Sequence, residues 1–411
     1  MPVDEVANDE GVAGPLDGVR VLALEQMQAL PFATQLLARL GAEVIKVENP
    51  AGGDMGRSSL PAVPGPDGRP MGATFLRNNL AKRSVAIDLK HPRGRELVLE
   101  LAGHVDVVAE NFRSGTLDRL GLGWEDVAAR HPSIVYLSVS GFGTGPSPYD
   151  GWPAFASTVE AMSGIYEWSR RGDDPPVVAP VGALGDIGTA LFATVGLLAA
   201  LRHRDRTGEG QHVDVAMYDA LVSLTDIVAN FWSMGVTERR DPLIVDGFRA
   251  SDGWFVVQVG RRHQFERLCE VIGRPGWLED PRLADPPSWR EHLEDVIRPG
   301  IESWAASRTK HEAAAELAAA GVAAGPCNDG GDLLADPHLA ARNMLVEIPR
   351  PDGGRPVLVP GNPIKLSAVP EAPAGPPPVL GADTEAVLTE LLGLDRAAVE
   401  ELAAAGVVAT A

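Results

Sequence analysis

A short β-branched run, Gly18 to Leu24 (GVRVLAL), gives way to apolar residues at helical spacing over Pro31 to Leu40, and Gly41 leads into a second run, Ala42 to Val47 (AEVIKV). Two strands joined through a helix pair in parallel, because the helix carries the chain back to the edge where it started. This βαβ opening constrains what the rest can become. The alternation continues with a strand at Ser84 to Ile87, a helix at Pro92 to Ala102, a strand at Val105 to Val108, helices near Thr116 and Trp124, and a strand at Ser133 to Ser138. Strands that are apolar on both faces need cover on both, so the sequence predicts an α/β fold around a mostly parallel sheet.

Further helices are predicted over Ser157 to Ile165, Ile187 to Leu201 and Tyr218 to Trp232, with a strand at His212 to Ala216. The pattern then changes. Leu243 to Val259 reads as a hairpin around Ser251-Asp252-Gly253, followed by helices at Gln264 to Ile272, Arg290 to Ala305 and Lys310 to Ala319. We expect a large domain over 15–235, a smaller α+β domain over 240–325, and a segment 326–411 that includes a proline-rich connector at Val369 to Pro378 and a helix at Thr384 to Leu392. Residues 1–14 are acidic and small and read as a flexible extension.

Charge and cysteine content exclude several functions. With 36 Lys+Arg against 56 Asp+Glu the net charge is −20, which disfavours nucleic acid or an anionic membrane as partner. The two cysteines, Cys269 and Cys327, cannot form a disulfide framework, and no basic residue precedes Arg20, so we expect no signal peptide and a cytoplasmic protein. The apolar stretch Ile187 to Leu201 falls short of the roughly 20 residues a bilayer needs and reads as a buried helix. The nine histidines never pair at three- to five-residue spacing and no CxxC occurs, so no metal site is expected.

Gly141-Phe142-Gly143-Thr144-Gly145-Pro146 follows a strand but opens no helix for a pyrophosphate, and reads as a turn. Gly185-Asp186-Ile187-Gly188 is more informative, since Asp186 sits between glycines at the mouth of an apolar helix. It suits an N-cap, accepting a first-turn N–H for about 1 kcal/mol. It also suits a nucleophile kept ionised by the helix dipole, with the glycines letting a substrate carbonyl approach. Position alone leaves both open.

The surrounding blocks carry a resemblance. They are Leu16-Asp17-Gly18-Val19-Arg20-Val21-Leu22, Gly41-Ala42-Glu43-Val44-Ile45-Lys46-Val47-Glu48, Lys82-Arg83-Ser84 with Asp88-Leu89-Lys90, Glu110-Asn111-Phe112-Arg113, Leu117-Asp118-Arg119-Leu120-Gly121, Gly185-Asp186, and Thr207-Gly208-Glu209-Gly210-Gln211. In this order they resemble the class III CoA-transferases of CaiB/BaiF type, which include formyl-CoA transferase, carnitine CoA-transferase and α-methylacyl-CoA racemase. The resemblance implies a Rossmann-like large domain completed by the return segment, a small inserted domain, a site between the two, and an interlocked ring homodimer. It also implies that Asp186 attacks an acyl-CoA thioester, with Gln28 near the reacting carbonyl and backbone amides near Gly188 available to the oxyanion.

Coenzyme A enters as substrate, with no tightly bound cofactor expected. The resemblance places it against Ile87, Lys90, Asn111, Phe112, Arg113, Thr116, Arg119 and Leu120, and leaves Asn49 where formyl-CoA transferase has an arginine. The window Arg69 to Arg119 holds 9 Lys+Arg and 6 Asp+Glu, a mildly basic stretch suited to a polyanion. The racemases carry a catalytic His where this chain has Ala154-Phe155-Ala156, and Phe155 holds no proton, which favours transfer. No counterpart of the formyl-CoA transferase glycine-rich loop occurs between Met234 and Gly247, so formyl-CoA/oxalate exchange is not expected. A racemase and a non-catalytic acyl-CoA-binding protein remain the alternatives at this stage.

Overall fold

A computed structural model describes residues 14–170, 172–178, 184–236, 243–371 and 375–411. The expected extension apart from Gly14, the centre of the proline-rich connector and part of the Met234–Gly247 stretch lie outside the described residues. Six parallel strands carry the fold: β1 (Arg20–Leu24), β2 (Glu43–Glu48), β3 (Arg83–Ile87), β4 (Val107–Glu110), β5 (Val135–Ser140) and β6 (Gln211–Ala216). A separate antiparallel sheet holds β7 (Ile244–Arg249), β8 (Trp254–Val259) and β9 (Ala323–Pro326). Near the end come the hairpin β10 (Leu345–Ile348) and β11 (Val357–Pro360), then β12 (Val408–Ala409).

The main sheet runs β12-β3-β2-β1-β4-β5-β6, parallel except for β12. The parallel strands thus follow the order 3-2-1-4-5-6 of a dinucleotide-type doubly wound sheet. The direction of winding reverses between β1 and β4, so the crevice for a ligand is expected at their carboxyl ends. β12 pairs with β3 at Ala86 and Ile87, and covers what would otherwise be an open strand edge.

Period-2 alternation divides each strand between two cores. Val21, Ala23 and Val44 face a layer containing α1 (Ala29–Ala38) and residues Ala193 and Leu197. Leu22, Leu24 and Ile45 face a second layer with Leu97 and Leu101, into which the C-terminal Val387, Leu388 and Val399 also pack. Contacts divide the chain into two compact units, Met1–Gly235 with Ala340–Ala411, and Val236–Leu339. The return therefore begins near 340 and not at the expected 326, because Lys310 pairs with Asp332 and draws the intervening residues onto the smaller unit.

Several elements differ from expectation. β4 and β5 each extend two residues further at their carboxyl ends than predicted, which places Glu110 and Ser140 inside the sheet. A hairpin, Ala62–Pro64 with Pro70–Gly72, leads into α2 (Ala73–Asn78), neither of which the sequence suggested. The remaining helices used below are α3 (Pro92–Ala102), α4 (Thr116–Leu120), α5 (Ala156–Met162), α6 (Leu184–Thr207), α7 (Met217–Leu224) and α8 (Asp226–Ser233). The single helix expected over Tyr218 to Trp232 breaks at Thr225, whose buried hydroxyl bonds back to the Leu221 carbonyl. Helix α6 is 24 residues long, not 15, and by length and apolarity alone would span a bilayer; half of its most apolar window is buried, and it packs on α1 and β6.

Candidate active site

At the reversal of the sheet, Asn111 after β4 and Gln26 after β1 join across the crevice. Gln26 donates its N–H to Asn111 Oδ1 at 2.9 Å, and Asn111 Nδ2 returns a bond of 2.9 Å to the Gln26 carbonyl. Met27 then adopts φ 64°, a left-handed conformation that a non-glycine residue holds only when its surroundings insist. The insistence comes from below, where the buried Asp54 carboxylate accepts the Met27 N–H at 2.9 Å and the Gly56 N–H at 2.7 Å, and pairs with Lys46 at 2.8 Å. Lys46, Lys82 and Glu25 complete a buried ion network. Burial pushes the Lys82 amine down to about 8, against the pull of Glu25.

This turn delivers Gln28 to the start of α1, where its side chain makes no capping bond and is nearly buried. Instead Gln28 Oε1 accepts from Arg77 Nη2 at 2.7 Å. Arg77 was not among the residues the sequence suggested. Its six-residue helix α2 is seated by Gln35, which bonds the Arg77 carbonyl at 2.5 Å and the Leu80 N–H at 2.7 Å.

Asp186 stands in the first turn of α6, two residues past its first described residue, so it is not the N-cap. The terminal amide of Gly185 is taken by another carboxylate, Glu160 Oε1 at 2.9 Å, and the Tyr166 hydroxyl donates to Glu160 Oε2. Among the described residues the Asp186 carboxylate accepts no hydrogen bond. Burial and the neighbouring Glu160 raise its pKa to about 6, while the Arg77 guanidinium opposes them. The flanking glycines serve packing: a Cβ on Gly185 would lie 3.0 Å from Ala156 Cα of α5, and one on Gly188 would lie 2.1 Å from Leu224 Cδ1 of α7. Gly188, fifth in the helix, is buried and its N–H points to a carbonyl one turn back, so it is not a free oxyanion donor.

The remaining expected residues gather at the carboxyl ends of β3 and β4. Ile87 is buried at the end of β3 and Lys90 is exposed three residues on. Phe112 and Leu120 pack on the second core. Arg113 bonds the Gly151 carbonyl and Arg119 bonds Thr116 Oγ1 at 3.2 Å. Among the described residues none of Lys90, Arg113 and Arg119 makes an ion pair, so these exposed cations are uncompensated. Beneath them Glu110 accepts the Phe112 N–H at 2.8 Å, and burial pushes its pKa to about 7.

A sequence profile of CoA-transferase family III matches residues 16–384. The chain is a member of CoA-transferase family III. It is 36% identical to a succinyl-CoA:mesaconate CoA-transferase of Haloarcula hispanica, over 92% of this chain and 96% of that one. It is 33% identical to a formyl-CoA:oxalate CoA-transferase of Rhodopseudomonas palustris, over 96% and 97% of the two chains. A crystal structure of a CaiB/BaiF family protein from Brucella suis superposes with TM-score 0.82 at 33% identity, covering 92% of this chain and all of that one.

For this CoA-transferase the site geometry adds Arg77 and Glu160 to the residues that the resemblance supplied. Glu160 carried one legible signal, a carboxylate placed within the apolar helix Ser157 to Ile165. Arg77 carried none, since a lone arginine in Phe75-Leu76-Arg77-Asn78-Asn79 reads as surface.

Proposed function

We propose that this CoA-transferase moves CoA from an acyl-CoA to a free carboxylic acid through covalent intermediates on Asp186. The observation that carries the reading is a part-buried carboxylate at a helix start with no hydrogen bond among the described residues, whose charge burial and Glu160 disfavour and the Arg77 guanidinium partly offsets. Asp186 attacks the thioester carbonyl, the C–S bond breaks, and an aspartyl acyl anhydride forms with release of CoA thiolate. The thiolate attacks the aspartyl carbonyl of the anhydride, giving an aspartyl-CoA thioester and the donor acid. The acceptor acid then runs the two steps in reverse. Anhydride and thioester are close in energy, so the exchange needs no ATP, and no net proton moves. The first-turn N–H of Asp186 is the backbone donor assigned to the charge that builds on the aspartyl carbonyl.

CoA itself is assigned to the crevice at β3 and β4, with Lys90, Arg113 and Arg119 meeting its phosphates, Ile87, Phe112 and Leu120 its apolar parts, and Asn111 and Thr116 its polar edges. Phe155, exposed at the start of α5, offers no base for α-proton abstraction, which supports transfer over racemisation. The named substrates of the relatives make succinyl-CoA and small dicarboxylic acids the first pairs to test. The reading includes a cytoplasmic, interlocked homodimer. To test it, mass spectrometry of the Asp186 peptide during turnover over an acyl-CoA panel is expected to show a hydroxylamine-sensitive CoA adduct. Asp186→Ala should lose exchange by at least 10³-fold, on the scale of losing a covalent nucleophile. Full activity of that variant overturns the mechanism.

A further inference from the structure

Arg77 presents an unusual charge arrangement. A guanidinium has five N–H donors in a fixed fork, and among the described residues that of Arg77 makes one hydrogen bond, to Gln28, and no ion pair. It is part-buried, and burial draws its pKa down while Asp186 is the acid that draws it back. Two other arginines withdrawn from water are neutralised: buried Arg57 forks onto Glu48 at 2.6 and 2.8 Å, and part-buried Arg83, at the amino end of β3, pairs with Glu43 and Glu390. A desolvated cation left with its fork open is costly unless an anion arrives to fill it.

Group exchange on Asp186 needs such a place. The acid released in one half-reaction and the acid that attacks in the other occupy the same position by symmetry. Both are carboxylates, and both sit beside a site already crowded with negative charge from Glu160 and, once free, from Asp186.

We propose that Arg77 is the carboxylate-recognition residue of this enzyme: the edge of its guanidinium not held by Gln28 binds the free acid next to Asp186. The proposal rests on the reading of Asp186 as nucleophile. In the step concerned, one oxygen of the acceptor carboxylate attacks the aspartyl-CoA carbonyl while Arg77 holds the acid in place. The C–S bond breaks, CoA thiolate leaves with the electron pair, and the anhydride forms; the thiolate then attacks the acceptor carbonyl and frees the Asp186 carboxylate. Gln28 acts as the positioning residue that fixes the fork. The bidentate match of guanidinium to carboxylate is what lysine at this position would lack.

The test uses the full chain and degenerate exchange between an acyl-CoA and its own deuterated acid, with the donor taken from formyl-, acetyl-, succinyl- and mesaconyl-CoA by wild-type rate. Arg77→Met is expected to raise KM for the acid at least tenfold while KM for the acyl-CoA stays within about twofold. Its acid limb in kcat/KM should also move to higher pH, since Asp186 loses its one cation. Arg77→Lys should recover part of the acid KM. Guanidinium ion added to Arg77→Ala should recover part of it as well, which a purely structural role would not allow. If no donor labels Asp186 in the wild type, the nucleophile reading fails. If Asp186 labels in the wild type and in Arg77→Met or Arg77→Lys, and the acid KM is unmoved, the nucleophile reading stands and the role of Arg77 is overturned. If Arg77→Met does not fold, Arg77→Lys and the guanidinium rescue decide in the same terms.

Discussion

Asp186 is an acid held where its charge is unwelcome, and stability should register this. Its pKa is raised to about 6 in the folded chain, against about 3.9 in an unfolded one, so ionisation weakens the fold above pH 6 and has no effect below about 4. Asp186→Asn should therefore be more stable than wild type at pH 8, by on the order of 1–2 kcal/mol after allowance for partial exposure, with the gap closing as pH falls from about 6 to about 4. Thermal denaturation at pH 8 and pH 4 checks it; equal gaps at both would mean that folding does not raise the Asp186 pKa. The same residue shows how far sequence reading reaches. An acid between glycines at the head of an apolar run was legible as a functional position. The purpose of the glycines was not, because only packing shows that Gly185 meets Ala156 and Gly188 meets Leu224. Arg77 stayed hidden because nothing local marks an arginine whose value lies in the partners it lacks.

Among the elements, the connection from β1 to α1 is the one that organises the site, and it is held by charge from beneath. Asp54 is buried and satisfies two backbone N–H groups and Lys46 at once. Asp54→Ala leaves both N–H groups without an acceptor and Lys46 with Glu25 alone, and should cost about 3–5 kcal/mol, whereas Asp54→Asn keeps an acceptor for Met27 and Gly56 and should cost less. Urea unfolding separates the two; if both variants lose the same stability, the charge on Lys46 matters and the turn does not. The strands and helices of this layer were readable from period and β-branching, since βαβ units declare themselves locally. The hairpin at Ala62–Pro64, helix α2 and strand β12 were not, because they are short and are defined by what they pack on. The break at Thr225 was missed for a related reason: the apolar period runs straight through it, and a single side-chain bond to Leu221 decides the break.

At the scale of the whole molecule, a chain of net charge −20 still leaves a broad apolar surface on α6, α7 and α8. Leu184, Leu191 and Val195 recur at helical spacing along one side of α6, and Val195 is 67% exposed. Val222 and Leu224 on α7, Ile227 and Trp232 on α8, and Met234 beyond it continue the apolar exposure, with Trp232 at 64% and Met234 at 73%. Monomeric proteins rarely expose contiguous apolar patches beyond a few hundred Å². A second copy of this chain is the occupant that the family resemblance implies, and the high negative charge elsewhere would confine contact between two such copies to this surface. If the two chains are linked as rings, dilution cannot separate them, since separation requires one ring to open by unfolding. Sedimentation velocity should accordingly show one dimeric species from micromolar to nanomolar concentration with no exchange of labelled subunits over days, while unfolding and loss of dimer coincide. Val195→Glu with Trp232→Glu should fail to assemble and accumulate as aggregate, because the partner surface must be buried during folding. A well-behaved monomer that still exchanges CoA at nanomolar concentration would show that this apolar surface serves some other partner and that each chain carries a complete site.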